Sequence, residues 1–242
     1  MNSSIQSNYT ISLDAMSGDN GPDIVVRAAK FSLDNHPNLR VMLVGKEDVL
    51  SSLVIKIIGF DERVSVHDAS EVISMSESPT EAVRKKKNSS MRVAIDKVKD
   101  GSANACVSAG NTGALMAIAK FVLKMLPGIN RPAIMAELPA AGGTVHMLDL
   151  GANTVNDSEQ LFQFALMGSI VAGDICDLEN PRVSLLNIGV EDLKGNDNVK
   201  NAAKLLSQSG LNYIGFIEGN EIFSGKTDVV VTDGFTGNVA LK

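Results

Sequence analysis

Ser108-Ala109-Gly110-Asn111-Thr112-Gly113 is the stretch of this chain whose residue types most suggest chemistry. It follows a short apolar run and precedes an amphipathic pattern over residues 113–126, so small residues stand where a strand must turn into a helix. A helix beginning at Thr112 or Gly113 leaves its first amides unpaired and carries partial positive charge, which suits a small anion such as phosphate. Ser108, Asn111 and Thr112 would add side-chain hydrogen bonds. The same residues suit a plain strand-to-helix turn, and physics alone leaves both readings open. Neither a G-x-G-x-x-G fingerprint nor a Walker loop with its lysine is present, so dinucleotide or ATP use does not follow. Ser108 is not in a G-x-S-x-G elbow, which argues against a hydrolase nucleophile.

The elements that must position this corner are legible around it. Short β-rich runs start near residues 10, 40, 63, 105, 145, 182, 212 and 228, most of them apolar on both alternating faces. Helical patterns lie between several of them, at residues 24–35, 79–98, 113–126 and 157–172. Continuous apolar strands alternating with helices predict an α/β fold, a mostly parallel sheet covered on both faces in three α/β/α layers. One domain over residues 9–242, divisible into two lobes, is the economical reading. Many strands end alike: Asp14, Gly110-Asn111, Gly151 with Asn153, Gly189 with Glu191, Glu218-Gly219 and Asp233-Gly234. Ligands of open parallel sheets bind outside the carboxyl ends of the strands, so this shared edge is the predicted site. Ser78-Pro79-Thr80-Glu81 predicts a capping box opening the second helix, with Gly101 as its stop. Within that helix Arg84, Lys85, Lys86 and Lys87 form a basic run that would hold phosphate, dock an acidic partner or simply face solvent.

Composition excludes several function classes. The 242 residues are 44% hydrophobic, enough for a core, yet no window approaches the apolar length of a membrane span. Residues 1–8 lack the basic-then-apolar order of a signal peptide and read as a flexible leader. Two cysteines in apolar segments suit a reduced, cytoplasmic setting and read as buried small hydrophobes. A net charge of −6, 4% aromatic residues and no tryptophan give no footprint for nucleic acid. The three histidines show no metal-ligand spacing, so no metal and no cofactor is expected.

A wider pattern then becomes specific. "LDAMSGDNGP" at 13, "PTEAVRKKKNSSMRVAI" at 79, "VSAGNTGALMA" at 107, "RPAIMAELP" at 131, "LDLGAN" at 148, "FALMGS" at 164, "LLNIGVEDLKG" at 185 and "DVVVTDGFTGNVALK" at 228 occur in the order found in the bacterial phosphate acyltransferase family PlsX, which the chain resembles over nearly its whole length. The resemblance implies transfer of a long-chain acyl group from acyl carrier protein to inorganic phosphate, giving acyl phosphate for a membrane-bound glycerol-3-phosphate acyltransferase in phospholipid synthesis; the alternatives are a phosphotransacetylase-like transfer from acyl coenzyme A and a non-catalytic fragment that binds phosphate or carrier protein. It implies a fold similar to isocitrate and isopropylmalate dehydrogenases and to phosphotransacetylase, without nicotinamide chemistry. It further implies a homodimer in full-length form and peripheral membrane association. Ser17 departs from the two glycines usual before the aspartate of the opening motif and is expected to be mildly strained if that position needs positive φ. Family members continue past "GFTGNVALK", so the chain is expected to lack a C-terminal part and to end as a helix begins near Asn238.

Under that resemblance the corner takes on roles. Phosphate would sit on the amides of Gly110 to Gly113 with Ser108, Asn111 and Thr112, and Lys194 in "EDLKG" would offset its charge, with Lys242 and Arg84 as weaker candidates. Asp14, Asp19 and Asp233 would orient donors or polarise a proton, or else cap loops. Asn153 would face the reacting carbonyl. The Arg84 to Lys87 face would dock the acidic carrier protein by charge complementarity.

Overall fold

The computed structural model describes residues 8–191 and 193–242; of the expected leader, residues 1–7 lie outside the described residues. The chain divides into two compact units, residues 1–124 and 125–242. The predicted strands are accordingly shared between two sheets.

The first unit runs β1 (Tyr9–Asp14), α1 (Gly21–Asn35), β2 (Leu39–Gly45), α2 (Glu47–Ile57), β3 (Val64–Asp68), α3 (Pro79–Lys85), α4 (Ser90–Lys99), β4 (Ala105–Ser108) and α5 (Thr112–Leu123). Its four strands are all parallel, in the order β3-β2-β1-β4. Val26, Ala29 and Leu33 of α1 and Leu50 of α2 pack with Val41 and Leu43 on one face. Met91 and Ile95 of α4 pack with Ile118 and Val122 of α5 in a second cluster, and the Ser12 hydroxyl of β1 donates to the Ala94 carbonyl of α4 at 2.7 Å.

The second unit runs β5 (Met135–Ala140), β6 (Gly143–Leu148), α6 (Ser158–Cys176), β7 (Val183–Leu186), α7 (Asp197–Ser207), β8 (Tyr213–Ile217), a 3₁₀ turn, β9 (Val229–Val231) and α8 (Gly234–Leu241). The sheet order is β5-β6-β9-β7-β8, with only β5 antiparallel. β5 escaped the sequence reading because Pro139 interrupts its pattern, which an edge strand tolerates. Phe164 and Leu161 of α6 and Leu206 of α7 bury against Val183, Leu185, Val229 and Val231.

Four local expectations need correction. The helix predicted over residues 79–98 is two helices, because Ser89 caps α4, accepting from the Arg92 amide at 3.3 Å while donating to the Lys86 carbonyl. Ser78 makes no side-chain cap, and Glu81 pairs instead with Lys85 at 2.7 Å. α8 starts at Gly234, four residues before the position read from the sequence, because Asp233 caps it. Both cysteines are half-buried, not buried; burial still pushes the Cys106 thiol up to about 11, which keeps it protonated at neutral pH.

Candidate functional site

In the first unit parallel pairing sets the end of β1 beside the end of β4, Asp14 opposite Ser108. The Ser108 hydroxyl donates to the buried Asp14 carboxylate at 2.6 Å and accepts from the Gly110 amide at 3.1 Å. Its proton is therefore already committed, and it offers a further ligand a lone pair. Asn111 caps α5: its Oδ1 accepts from the Ala114 amide at 3.0 Å. Its Nδ2 donates to the carbonyls of Ser74, Met75 and Glu77 at 3.3, 3.0 and 2.9 Å, tying that loop to the helix start. The first helical bond runs from the Leu115 amide to the Asn111 carbonyl, so the Thr112 and Gly113 amides stand ahead of it.

Gly110 is required for packing. A Cβ there would lie 2.6 Å from Ser17 Cβ and 2.9 Å from Met91 Cε. Positive φ falls on Gly18, at 97°, so the strain anticipated at Ser17 is absent. Ser17 is instead 3% exposed, directly against Gly110, and its hydroxyl has no partner among the described residues. Burying an unpaired hydroxyl costs about 1–3 kcal/mol, which an acceptor brought by a ligand would offset. The sequence marked Ser17 only as a departure from a glycine pair; its burial beside the corner is a tertiary fact. The basic run lies on the end of α3, with Arg84, Lys85 and Lys87 exposed and Lys86 half-buried. The hydrogen bond between Lys85 and Glu81 raises the lysine and lowers the carboxyl from their ordinary values.

The second unit has a hub that the sequence reading missed. Asp149, fully buried, follows β6. Its Oδ1 accepts from the amides of Ile134 at 3.0 Å and Ala152 at 2.9 Å. Its Oδ2 accepts from the Asn153 amide at 2.8 Å and the Asn153 Nδ2 at 2.9 Å. Asn153 Nδ2 also donates to the Pro132 carbonyl at 2.8 Å, so this residue spends its amide inside the unit. Asp233 likewise caps α8, accepting from the Thr236 amide at 2.9 Å and the Thr236 hydroxyl at 2.8 Å. Lys194 lies in the loop after β7, half exposed and 3.9 Å from Glu191. Asp192 of the same motif lies outside the described residues. The structure thus joins Asp14, Ser108, Gly110, Asn111, Thr112 and Gly113 in one corner and leaves Asn153, Lys194 and Asp233 to the other unit. Among the described residues no group of three or more His, Cys, Asp or Glu is arranged to hold a metal.

Residues 9–242 match the sequence model of the family described as fatty acid synthesis protein. The phosphate acyltransferase of Methylococcus capsulatus is 58% identical over 234 residues, covering 96% of this chain and 69% of that one. That of Alkalilimnicola ehrlichii is 57% identical over 234 residues, covering 96% and 68%. The chain belongs to this family. Membership makes this chain an acyltransferase. Among solved structures, a phosphotransacetylase from Streptococcus pyogenes aligns with TM-score 0.70 at 17% identity, over 97% of this chain and 80% of its own. The EutD phosphotransacetylase from Staphylococcus aureus aligns with TM-score 0.68 at 19% identity, over 97% and 80%. Such low identity speaks for a common α/β fold alone. No described helix of the family member is long and apolar enough to cross a membrane.

Proposed function

We propose that this enzyme transfers a fatty acyl group from acyl carrier protein to inorganic phosphate, yielding acyl phosphate for phospholipid synthesis. The observation that carries the reading is the corner of the first unit, where the α5 amides of Thr112 and Gly113 precede the first helical bond beside the unpaired buried hydroxyl of Ser17. Helix dipole and free donors favour an anion there. Ser108, Gly110 and Asn111 act by building the corner, and Asp14 fixes the Ser108 hydroxyl. A phosphate oxygen attacks the thioester carbonyl, the C–S bond breaks, and the thiolate leaves and takes up a proton from water. Phosphate is a competent nucleophile and thiolate a fair leaving group, so positioning and electrostatics suffice and no acyl-enzyme is required. Lys194 is the proposed cation of the second unit; Asn153 holds the loop after β6 to Asp149 and Pro132, and Asp233 caps α8. Arg84, Lys85, Lys86 and Lys87 dock the acidic carrier protein, and a membrane-bound glycerol-3-phosphate acyltransferase consumes the product.

Phosphate-dependent release of free thiol, with acyl phosphate accumulating, tests the reading on palmitoyl carrier protein and palmitoyl coenzyme A side by side. Turnover with the carrier protein and little with the coenzyme is the expected result. The reverse preference would make the enzyme a coenzyme A-dependent phosphotransacylase, and thiol release independent of phosphate would make it a thioesterase.

A further inference from the structure

The second unit holds a cleft of about 730 Å³ at the carboxyl ends of β7, β8 and β9, where open parallel sheets take their ligands. That volume falls in the ~300–1,000 Å³ range of pockets that enclose most of a small molecule. Leu186, Val199 and Ile222 line its interior; Ile188, Val239 and Ala240 form its rim. Val199 and Ile222 are buried, whereas Ile188 and Val239 are 79% and 62% exposed, so the apolar surface runs from the floor out to solvent.

Most of the polar side chains lining the cleft make hydrogen bonds within the unit. Asn187 donates to the Lys194 carbonyl, Asn196 accepts from the Val199 amide, and Asp233 accepts twice from Thr236. Glu218 accepts from the amide of Glu221 in the 3₁₀ turn. Among the described lining residues the charged ones are Glu218 and Asp233, with no Lys, Arg or His. A phosphate or pyrophosphate would meet two carboxylates and no cation, whereas an uncharged chain meets neither penalty and gains the apolar walls. Gly195 and Asn196, which line the cleft, directly follow Lys194, so it is continuous with the loop that carries the proposed catalytic lysine.

We infer that this cleft holds the alkyl chain of the acyl group being transferred. The assignment rests on the acyl-transfer reading and adds to it a fatty-chain subsite within the second unit. Chain-length preference is then written in the walls: each methylene buried contributes about fourfold in kcat/KM.

Two variants test it. Ala240→Phe narrows the cleft, and Ile188→Asp places a charge on the rim at a position exposed enough to leave folding intact. Phosphate-dependent turnover of 16-carbon and 8-carbon acyl thioesters on the same carrier gives the selectivity ratio. That ratio is expected to fall about tenfold or more in both variants, the equivalent of two or more methylenes. A ratio within about twofold of the parent in both folded variants would overturn the subsite, two methylenes being the least it predicts. A second arm needs no turnover: fluorescent cis-parinaric acid is bound to the parent, displaced with palmitate, and titrated into each variant. Weaker binding in the variants supports the subsite, and equal binding, or none to the parent, overturns it. Absence of turnover with both thioesters would instead sink the acyl-transfer reading, with the parinaric acid arm still deciding the cleft.

Discussion

The two units each turn a strand end into a glycine-rich loop around a buried aspartate, and they use that aspartate differently. Asp14 accepts from the Ser108 hydroxyl at 2.6 Å and from the Met16 amide at 3.4 Å, and the corner around it retains a buried unpaired hydroxyl and two amides ahead of the first helical bond. Asp149 accepts four hydrogen bonds from Ile134, Ala152 and Asn153, which fills the capacity of a carboxylate. A satisfied network rigidifies a loop, while a corner with donors to spare is equipped to take a ligand. The same sequence grammar of Asp, Gly and Asn therefore marks a structural hub in one unit and a candidate binding site in the other.

The largest effect expected from that contrast is at Asp149. Asp149→Asn turns an acceptor pair into one acceptor and one donor aimed at amide donors, and should cost about 3 kcal/mol or more. Chemical denaturation read by circular dichroism measures it. A cost below about 1 kcal/mol, the worth of one ordinary hydrogen bond, would break the claim that this carboxylate organises the unit.

Glycine replacements sharpen the comparison next. A Cβ at Gly237 would overlap the Asp149 carbonyl oxygen, a backbone atom with nowhere to go, while one at Gly113 would sit 3.0 Å from the Pro79 ring. Gly237→Ala is expected to cost about 1–3 kcal/mol or more and Gly113→Ala distinctly less, compared by thermal unfolding.

A smaller loss is predicted from Asp228, which links β9 to the chain leading into β7. Burial pushes its carboxyl up, but hydrogen bonds from the Arg182 side chain and amide outweigh this and hold it below the usual range. A depressed carboxyl contributes stability that is present above its unfolded value near 4 and lost as pH falls through the folded value. Asp228→Asn should lower stability by about 1–2 kcal/mol at pH 7, limited by solvent at the half-exposed arginine. It should also flatten the decline in melting temperature as pH falls below about 4, from the unfolded value toward the lower folded one.

Ser17→Ala should move stability least. Removing a buried, unpaired hydroxyl is expected to leave stability unchanged or raise it by up to about 1 kcal/mol. The KM for phosphate should nevertheless rise about five- to tenfold, the worth of one hydrogen bond. Loss of stability without a change in phosphate KM would move Ser17 from the candidate site to the packing.

The sequence by itself determined eight of the nine strands, the helices α1, α5 and α6 and the family, because burial on both faces and helix periodicity are local patterns and the motifs keep their order; α2 and α7 were not read from it. Even the turn at Ser108 and the start of α5 at Thr112 or Gly113 could be read locally. The tertiary structure alone decided how the strands divide into two sheets and that β5 exists as an antiparallel edge. It also decided that Asn111 and Asn153 spend their amides on distant carbonyls and that Ser17 is buried without a partner. Apart from β5, which pairs with the β6 that follows it, those facts depend on partners tens of residues away, and hydrogen-bond satisfaction is a property of the neighbours a residue acquires, which its own identity does not encode.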